Sequence, residues 1–403
     1  MSSVIFRKGL DLKEAVAPKL SESYHSLLVD QIKAADFRFQ SGRLTVHLAR
    51  EFGFCYGVDR AVDYAYQTRE RFPARRVYLT GEIIHNPHVN DRLRGLGIQF
   101  LTDPGVDPRT LGSEDVVIIP AFGVTFTELE QLDRQGCTLV DTTCGSVLNV
   151  WKNVRRYAQD GFTAIIHGKV SHEETRATAS QALLFPGGQY LVVLNMPEAA
   201  EVCEYIRTLG HPSAAAAPGT PPDSPQRFLK RFSAVVSGGF DPDRDLIRVG
   251  LANQTTMLMS ESLEVEAMFR AAMIDRYGEP ALADHFRAFD TICSATQDRQ
   301  DAVVALLNER ALDLMIVIGG YNSSNTCNLA RICVERLPTY HIAEPQCLQS
   351  PNAICHRPVG SKTQVTTTNW LPAGSVSIGL TAGASTPDNL IGTVVQTLDT
   401  FCR

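Results

Sequence analysis

Short, almost uninterrupted apolar runs recur along the chain, and each gives way to glycine or a polar loop before a stretch of helical periodicity. They are "LTVHLA" (44–49), "DVVIIPAFGV" (115–124), "CTLVD" (137–141), "FTAIIHG" (162–168), "RVGLA" (248–252), "DLMIVIGG" (313–320) and "SVSIGLTAG" (375–383). A strand that is apolar on both faces needs cover on both sides, which a parallel sheet flanked by helices supplies. The alternation therefore predicts an α/β fold. At 403 residues the chain is too long for one small core, so several domains are expected.

Three segments of the chain share a layout. After "LTVHLA" come Gly53, Cys55 and Gly57, then a helix with Val58, Ala61, Val62 and Ala65 on one face. After "CTLVD" come Thr142, Thr143 and Cys144, then a helix carrying Val147, Val150, Trp151 and Val154. After "FDTI" comes Cys293, then a helix with Val303, Leu306 and Leu307. A cysteine placed just ahead of a helix meets the partial positive end of the helix dipole, which favours a thiolate. For any one of them a packed core thiol is the default. Three together suggest a common centre, either a zinc ion with an open fourth position or an iron–sulfur cluster lacking one protein ligand. The cysteines at 137, 203, 327, 333, 347, 355 and 402 have no such setting and read as core or surface thiols. No pair has CxxC spacing, and Cys347 with Cys355-His356 fits no common zinc pattern.

A second group of polar residues falls on loops between strand and helix. "GEIIHN" places His85, "SHEETRATAS" places His172, Glu173 and Glu174, and "LANQTTMLMSES" places Gln254, Thr255 and Thr256. "GGYNSSN" brings Ser323, Ser324 and Asn325 to a helix start, and "GASTPD" brings Ser385 to another. Singly, such serines and asparagines are helix caps. Together, hydroxyls, amides and imidazoles near helix N-termini suit an anion such as phosphate. Neither GxxxxGK[ST] nor GxGxxG occurs, so the common nucleotide-binding loops lack support. The carboxylates of "HEET" are either an ordinary helix-start pair or include a proton donor; HExxH is absent, and the motif does not choose between these readings.

The formal net charge of -6 gives no reason to expect nucleic acid as a partner. No apolar run approaches the roughly 18–20 residues that span a bilayer. The first residues lack a signal pattern and carry Asp11 and Glu14, so a cytoplasmic protein with no membrane partner is expected. Residues 1–43 read as an extension with two weak helical stretches. The segment "GHPSAAAAPGTPPDSPQRF" (210–228) reads as a flexible surface insertion.

In order, "GFCYGVDRA", "GEIIHN", "DTTC", "SHEET", "QTT", "DTICSATQDRQDAV", "GGYNSSN" and "TAGASTPD" closely resemble the 4-hydroxy-3-methylbut-2-enyl diphosphate reductase family, across about residues 44 to 395. The extension and insertion resemble its longer, cyanobacterial and plastid form. The resemblance implies three α/β lobes with short parallel sheets, in pseudo-threefold arrangement around a central iron–sulfur cluster. The expected divisions are 1–43, 44–143, 144–292, 293–385 and a C-terminal helix or tail at 386–403. It further implies a [4Fe-4S] cluster on Cys55, Cys144 and Cys293 with one iron open to substrate. His85, His172, Ser323, Ser324, Asn325 and Ser385 match diphosphate-holding positions. Glu174 matches the proton-delivering carboxylate, and Thr255 a hydroxyl that orients substrate and relays protons. A third pocket histidine of compact members is replaced here by Phe122.

The implied reaction removes an allylic hydroxyl as water with two electrons and two protons. A one-electron carrier, ferredoxin or flavodoxin, would supply the electrons. Two rival readings are an iron–sulfur hydro-lyase and a non-enzymatic cluster protein. The first would want arginines for carboxylates in loops that carry serine, asparagine and histidine. The second leaves the anion cage and Glu174 without a purpose.

Overall fold

The computed structural model describes residues 4–208, 224–289 and 291–403. The chain is α/β and divides into two compact units. One comprises Met1–Ala121, Leu132–Cys144 and Ser294–Arg403; the other comprises Phe122–Gln131 and Gly145–Cys293.

The first unit holds two five-stranded sheets. One runs Ile5–Phe6, Thr138–Asp141, Val116–Ile119, Val77–Leu79, Ile98–Phe100, all parallel. The other runs Thr339–Ile342, Leu314–Ile318, Val376–Ala382, Leu44–Leu48, Arg38–Ser41, parallel except for the last pair. Every residue of Val116–Ile119 and of Leu314–Ile318 is buried, as strands covered on both faces must be. A small antiparallel sheet of Leu348–Ser350, Ala353–His356 and Val365–Thr368 completes this unit.

The second unit is built on one parallel sheet ordered Phe286–Ala288, Val249–Asn253, Thr163–His167, Tyr190–Val193. Helix Gly145–Gln159 buries Val147, Val150, Trp151 and Val154, the stripe that its sequence spacing predicts. Helices Met196–Thr208 and Met259–Tyr277 share a core with Phe228 and Phe232.

Several boundaries differ from the sequence expectation. Strand Leu44–Leu48, counted above with residues up to 143, pairs with Val376–Ala382 near the other end of the chain. Of the helix or tail expected at 386–403, Asp388–Cys402 is a helix that buries Ile391, Val394, Val395 and Leu398 in that same sheet's core. Residues 4–43 contribute two edge strands and the helices Lys13–Tyr24 and Leu27–Ala34. Of the insertion read at 210–228, residues 210–223 lie outside the described residues. Its last residues belong instead to helix Pro225–Phe232, capped by Ser224, because Phe228 and Phe232 bury on one side of it. Among the described residues no helix is long and apolar enough to cross a membrane.

The sheets place the polar motifs. Cys55, His85, Cys144, Ser323 and Ser385 each follow the C-terminal end of a parallel strand in the first unit. His172, Thr255 and Cys293 do so in the second. That end of an α/β sheet is where helix N-termini and loop backbone gather to meet a ligand.

Candidate functional site

Cys55 and Cys144 come together in the first unit. Cys55 directly precedes helix Tyr56–Arg71 with an extended backbone (φ -87, ψ 165), and its side chain makes no capping bond. Its N–H donates to Ala384 O at 3.2 Å, while Cys144 N–H donates to Ala121 O at 2.9 Å. Both thiols turn toward Gly57. A Cβ there would lie 2.6 Å from Cys144 Sγ and 4.0 Å from Cys55 Sγ. The glycine thus leaves room for two sulfurs on one face. Gly53 has φ +74, a left-handed conformation that lets the chain turn from strand to helix start. Neither cysteine is in a disulfide and both are half-exposed. Paired soft sulfur donors at a helix start suit iron or zinc better than a hard cation.

The same unit carries most of the polar set. His85, Ser323, Ser324, Asn325 and Ser385 are all buried. His85 Nδ1 bonds Glu82 Oε2 at 2.8 Å, which fixes the ring, and Ser385 Oγ donates to His85 O at 3.3 Å. Ser323 Oγ accepts from Thr326 N at 3.3 Å and so caps helix Ser324–Val334. Asn325 Oδ1 accepts from Ala384 N at 2.9 Å, whereas its Nδ2 is buried with no hydrogen-bond partner. A buried amide donor without a partner is costly, and an anion would satisfy it. Ala384 is therefore bonded to both Asn325 and Cys55.

In the second unit, burial separates the two adjacent glutamates. Glu174 is 1% exposed, whereas the Glu173 side chain is 47% exposed. Glu174 Oε1 accepts from Thr255 N at 2.6 Å and Oε2 from Thr255 Oγ1 at 3.0 Å. His172 caps helix Glu173–Ala182 through Nδ1, which accepts from Glu174 N at 3.1 Å. That bond leaves the ring hydrogen on Nε2, a donor. Cys293 N–H donates to Thr255 O at 3.3 Å, tying the third cysteine to this loop. Phe122 packs its ring edge-to-face on His172, with centroids 5.4 Å apart.

Three residues to which the sequence assigned no role also shape the site. Gln254 Oε1 accepts from Lys169 N at 3.0 Å and from Thr175 Oγ1 at 3.1 Å, and its Nε2 donates to Thr256 Oγ1 at 2.8 Å. It locks the His172 loop to the Thr255 loop. Its place beside Thr255 in "NQTT" was visible, but its bonds reach 79 and 85 residues back. Glu82 showed only as an acid three residues before His85. Gly57 showed only as a glycine two residues after Cys55.

A family model described as LytB protein matches residues 46–399. The chain is 49% identical over 397 residues to a 4-hydroxy-3-methylbut-2-enyl diphosphate reductase of Gloeobacter violaceus, covering 97% of this chain and 91% of that protein. It is 47% identical over 393 residues to the protein so named from Thermosynechococcus vestitus, covering 97% and 93%. Among solved structures, an (E)-4-hydroxy-3-methyl-but-2-enyl diphosphate reductase described as the terminal enzyme of the non-mevalonate pathway superposes with TM-score 0.51. That match is at 26% identity over 88% of this chain and 99% of the other. An E-1-hydroxy-2-methyl-but-2-enyl-4-diphosphate reductase from Plasmodium falciparum superposes with TM-score 0.59 at 20% identity, over 88% and 87%, which speaks for the fold.

Proposed function

The chain belongs to the LytB family, and on that premise we propose how its residues divide the work of the family's reaction. It acts as a 4-hydroxy-3-methylbut-2-enyl diphosphate reductase, an oxidoreductase of the non-mevalonate route. Two electrons and two protons remove the allylic hydroxyl as water and leave isopentenyl and dimethylallyl diphosphate.

Cys55, Cys144 and Cys293 would hold a [4Fe-4S] cluster, which when bound supplies electrons and a Lewis-acid iron for the hydroxyl oxygen. The sulfur-only donor set and the space left at Gly57 support that assignment. His85, His172, Ser323, Ser324, Asn325 and Ser385 hold the diphosphate. The partnerless Asn325 Nδ2 and the Nε2 hydrogen of His172 are the donors that favour it. Fixing the diphosphate fixes the allylic end, and orientation of this kind removes much of a barrier.

Hydroxide leaves poorly, so a proton must arrive as the C–O bond breaks. The observation that carries this reading is the Glu174–Thr255 pair, buried and doubly bonded. With Glu174 ionised, Thr255 Oγ1–H donates to Oε2. With Glu174 protonated, the contact reverses and Oε2–H donates to Thr255 Oγ1. The threonine hydrogen then turns outward to the leaving hydroxyl. A proton thus moves along two side chains without either leaving its place. Ferredoxin or flavodoxin would deliver the electrons one at a time.

The test is anaerobic purification, iron and sulfide analysis, then turnover of the allylic diphosphate with reduced methyl viologen. A protein that carries iron and sulfide yet gives no hydrocarbon diphosphate product would overturn the reading.

A further inference from the structure

Arg299 lies in helix Ser294–Glu309, six residues past Cys293, and is only 4% exposed. Its Nη2 donates to Gly53 O at 2.7 Å and its Nη1 to Ala295 O at 2.8 Å, while Nε is buried with no hydrogen-bond partner. Among the described residues no carboxylate pairs with it. Asp388, which packs against Gly53, is engaged with Lys33 at 2.9 Å. A guanidinium keeps its proton at any working pH, so a full positive charge is buried here with neutral partners alone. Such burial is strongly unfavourable unless an anion nearby compensates it.

The carbonyl that Arg299 grips belongs to Gly53, two residues before Cys55, whose thiol shares the Gly57 face with that of Cys144. A cluster held by three thiolates is an anion overall, and each added electron makes it more negative. We propose that Arg299 is the built-in counter-charge of the cluster site and raises the potential at which the bound centre accepts an electron. The inference rests on the iron–sulfur reading above. In the step concerned, one electron enters from the carrier, and Arg299 forms and breaks no bond and keeps its protons. The guanidinium acts by its field, and its bond to Gly53 O holds that field in place.

Three variants separate charge from shape: Arg299→Lys keeps the charge, Arg299→Gln keeps donors without charge, and Arg299→Met keeps bulk alone. The midpoint potential is read on the anaerobic, cluster-loaded protein by an electron-paramagnetic-resonance titration with dithionite. Thermal unfolding is read on the cluster-free protein. Arg299→Gln and Arg299→Met are expected to shift the potential to more negative values, with Arg299→Lys close to the parent. Without the cluster, Arg299→Met should unfold at the parent temperature or above it, since an uncompensated charge has been removed. Loss of the cluster from the Gln variant with retention in the Lys variant also supports the proposal. An unmoved potential in Arg299→Gln overturns it, as does equal loss of the cluster from the Lys and Gln variants, which would make Arg299 a clip on Gly53 alone. If the parent protein itself holds no iron and sulfide, the iron–sulfur reading fails first, and the two failures are told apart.

Discussion

Thr255 gives both of its donors to one carboxylate: its backbone N–H reaches Glu174 Oε1 at 2.6 Å and its hydroxyl reaches Oε2 at 3.0 Å. The pair joins the start of helix Glu173–Ala182, after strand Thr163–His167, to a loop after strand Val249–Asn253, so neighbouring strands set its geometry. Glu174→Gln keeps the size and one acceptor but carries no transferable proton. Its kcat should fall on the order of 10²–10⁴-fold, the usual worth of general acid catalysis, while iron content and affinity for inorganic diphosphate stay near the parent values. Near-normal turnover would remove Glu174 from the proton path.

Gly57 is the position where a single methyl group tests the sulfur site. In Gly57→Ala the new Cβ meets Cys144 Sγ at 2.6 Å. Without metal the thiol can rotate away, and alanine is the better helix former by up to about 1 kcal/mol. The cluster-free variant should therefore melt no lower than the parent. Reconstitution should fail, with iron content reduced to a small fraction and the visible absorption lost, as it should be in Cys144→Ser. Full loading of Gly57→Ala would argue against Cys55 and Cys144 acting together.

Phe122 stands where compact relatives were expected to carry a histidine, and it buttresses His172 edge-to-face. An aromatic pair of this kind contributes roughly 0.5–1.5 kcal/mol. Phe122→Ala should weaken binding of inorganic diphosphate about two- to tenfold and change kcat little, measured by calorimetry and steady-state kinetics. A loss confined to kcat would contradict a positioning role.

Burial beside Arg357 and His356 lowers His341 from 6.5 to about 4, and its Nε2 donates to Gly319 O at 2.9 Å. The folded chain therefore excludes a proton that the unfolded chain accepts below pH 6.5. Stability present above that pH should decline as the pH falls toward 4, by on the order of 3 kcal/mol from this one group. Urea unfolding of the parent and of His341→Gln across pH 4–7 reads it, because titrating groups that do not face His341 cancel in the difference. A difference independent of pH would refute the assignment.

Burial raises the thiols of Cys203 and Cys333 to about 12. In the cluster-free native protein at pH 8, iodoacetamide should leave both unmodified while the half-exposed Cys55 and Cys144 react, as peptide mass mapping will show.

The apolar runs that begin the sequence reading each contain a strand, because a strand covered on one face or both is mostly apolar along its short length. Strands Val77–Leu79 and Ile98–Phe100 are too short to leave such a mark, and the antiparallel strands from Leu348 to Thr368 alternate too weakly. The cysteines before helices were legible because a helix start has a local pattern of its own. The partners of those residues were not.

Local order along the chain was enough for the α/β class, the strand-then-helix placement of Cys55, Cys144 and Cys293, and the family motifs. Such features depend on neighbours within a few turns. Which strand lies beside Leu44–Leu48, which of two adjacent glutamates is buried, and why Arg299 has no carboxylate partner among the described residues depended on contacts between segments far apart in the chain. Packing chooses those contacts by burying apolar area and satisfying polar atoms across the whole unit, and no short window of sequence contains that sum.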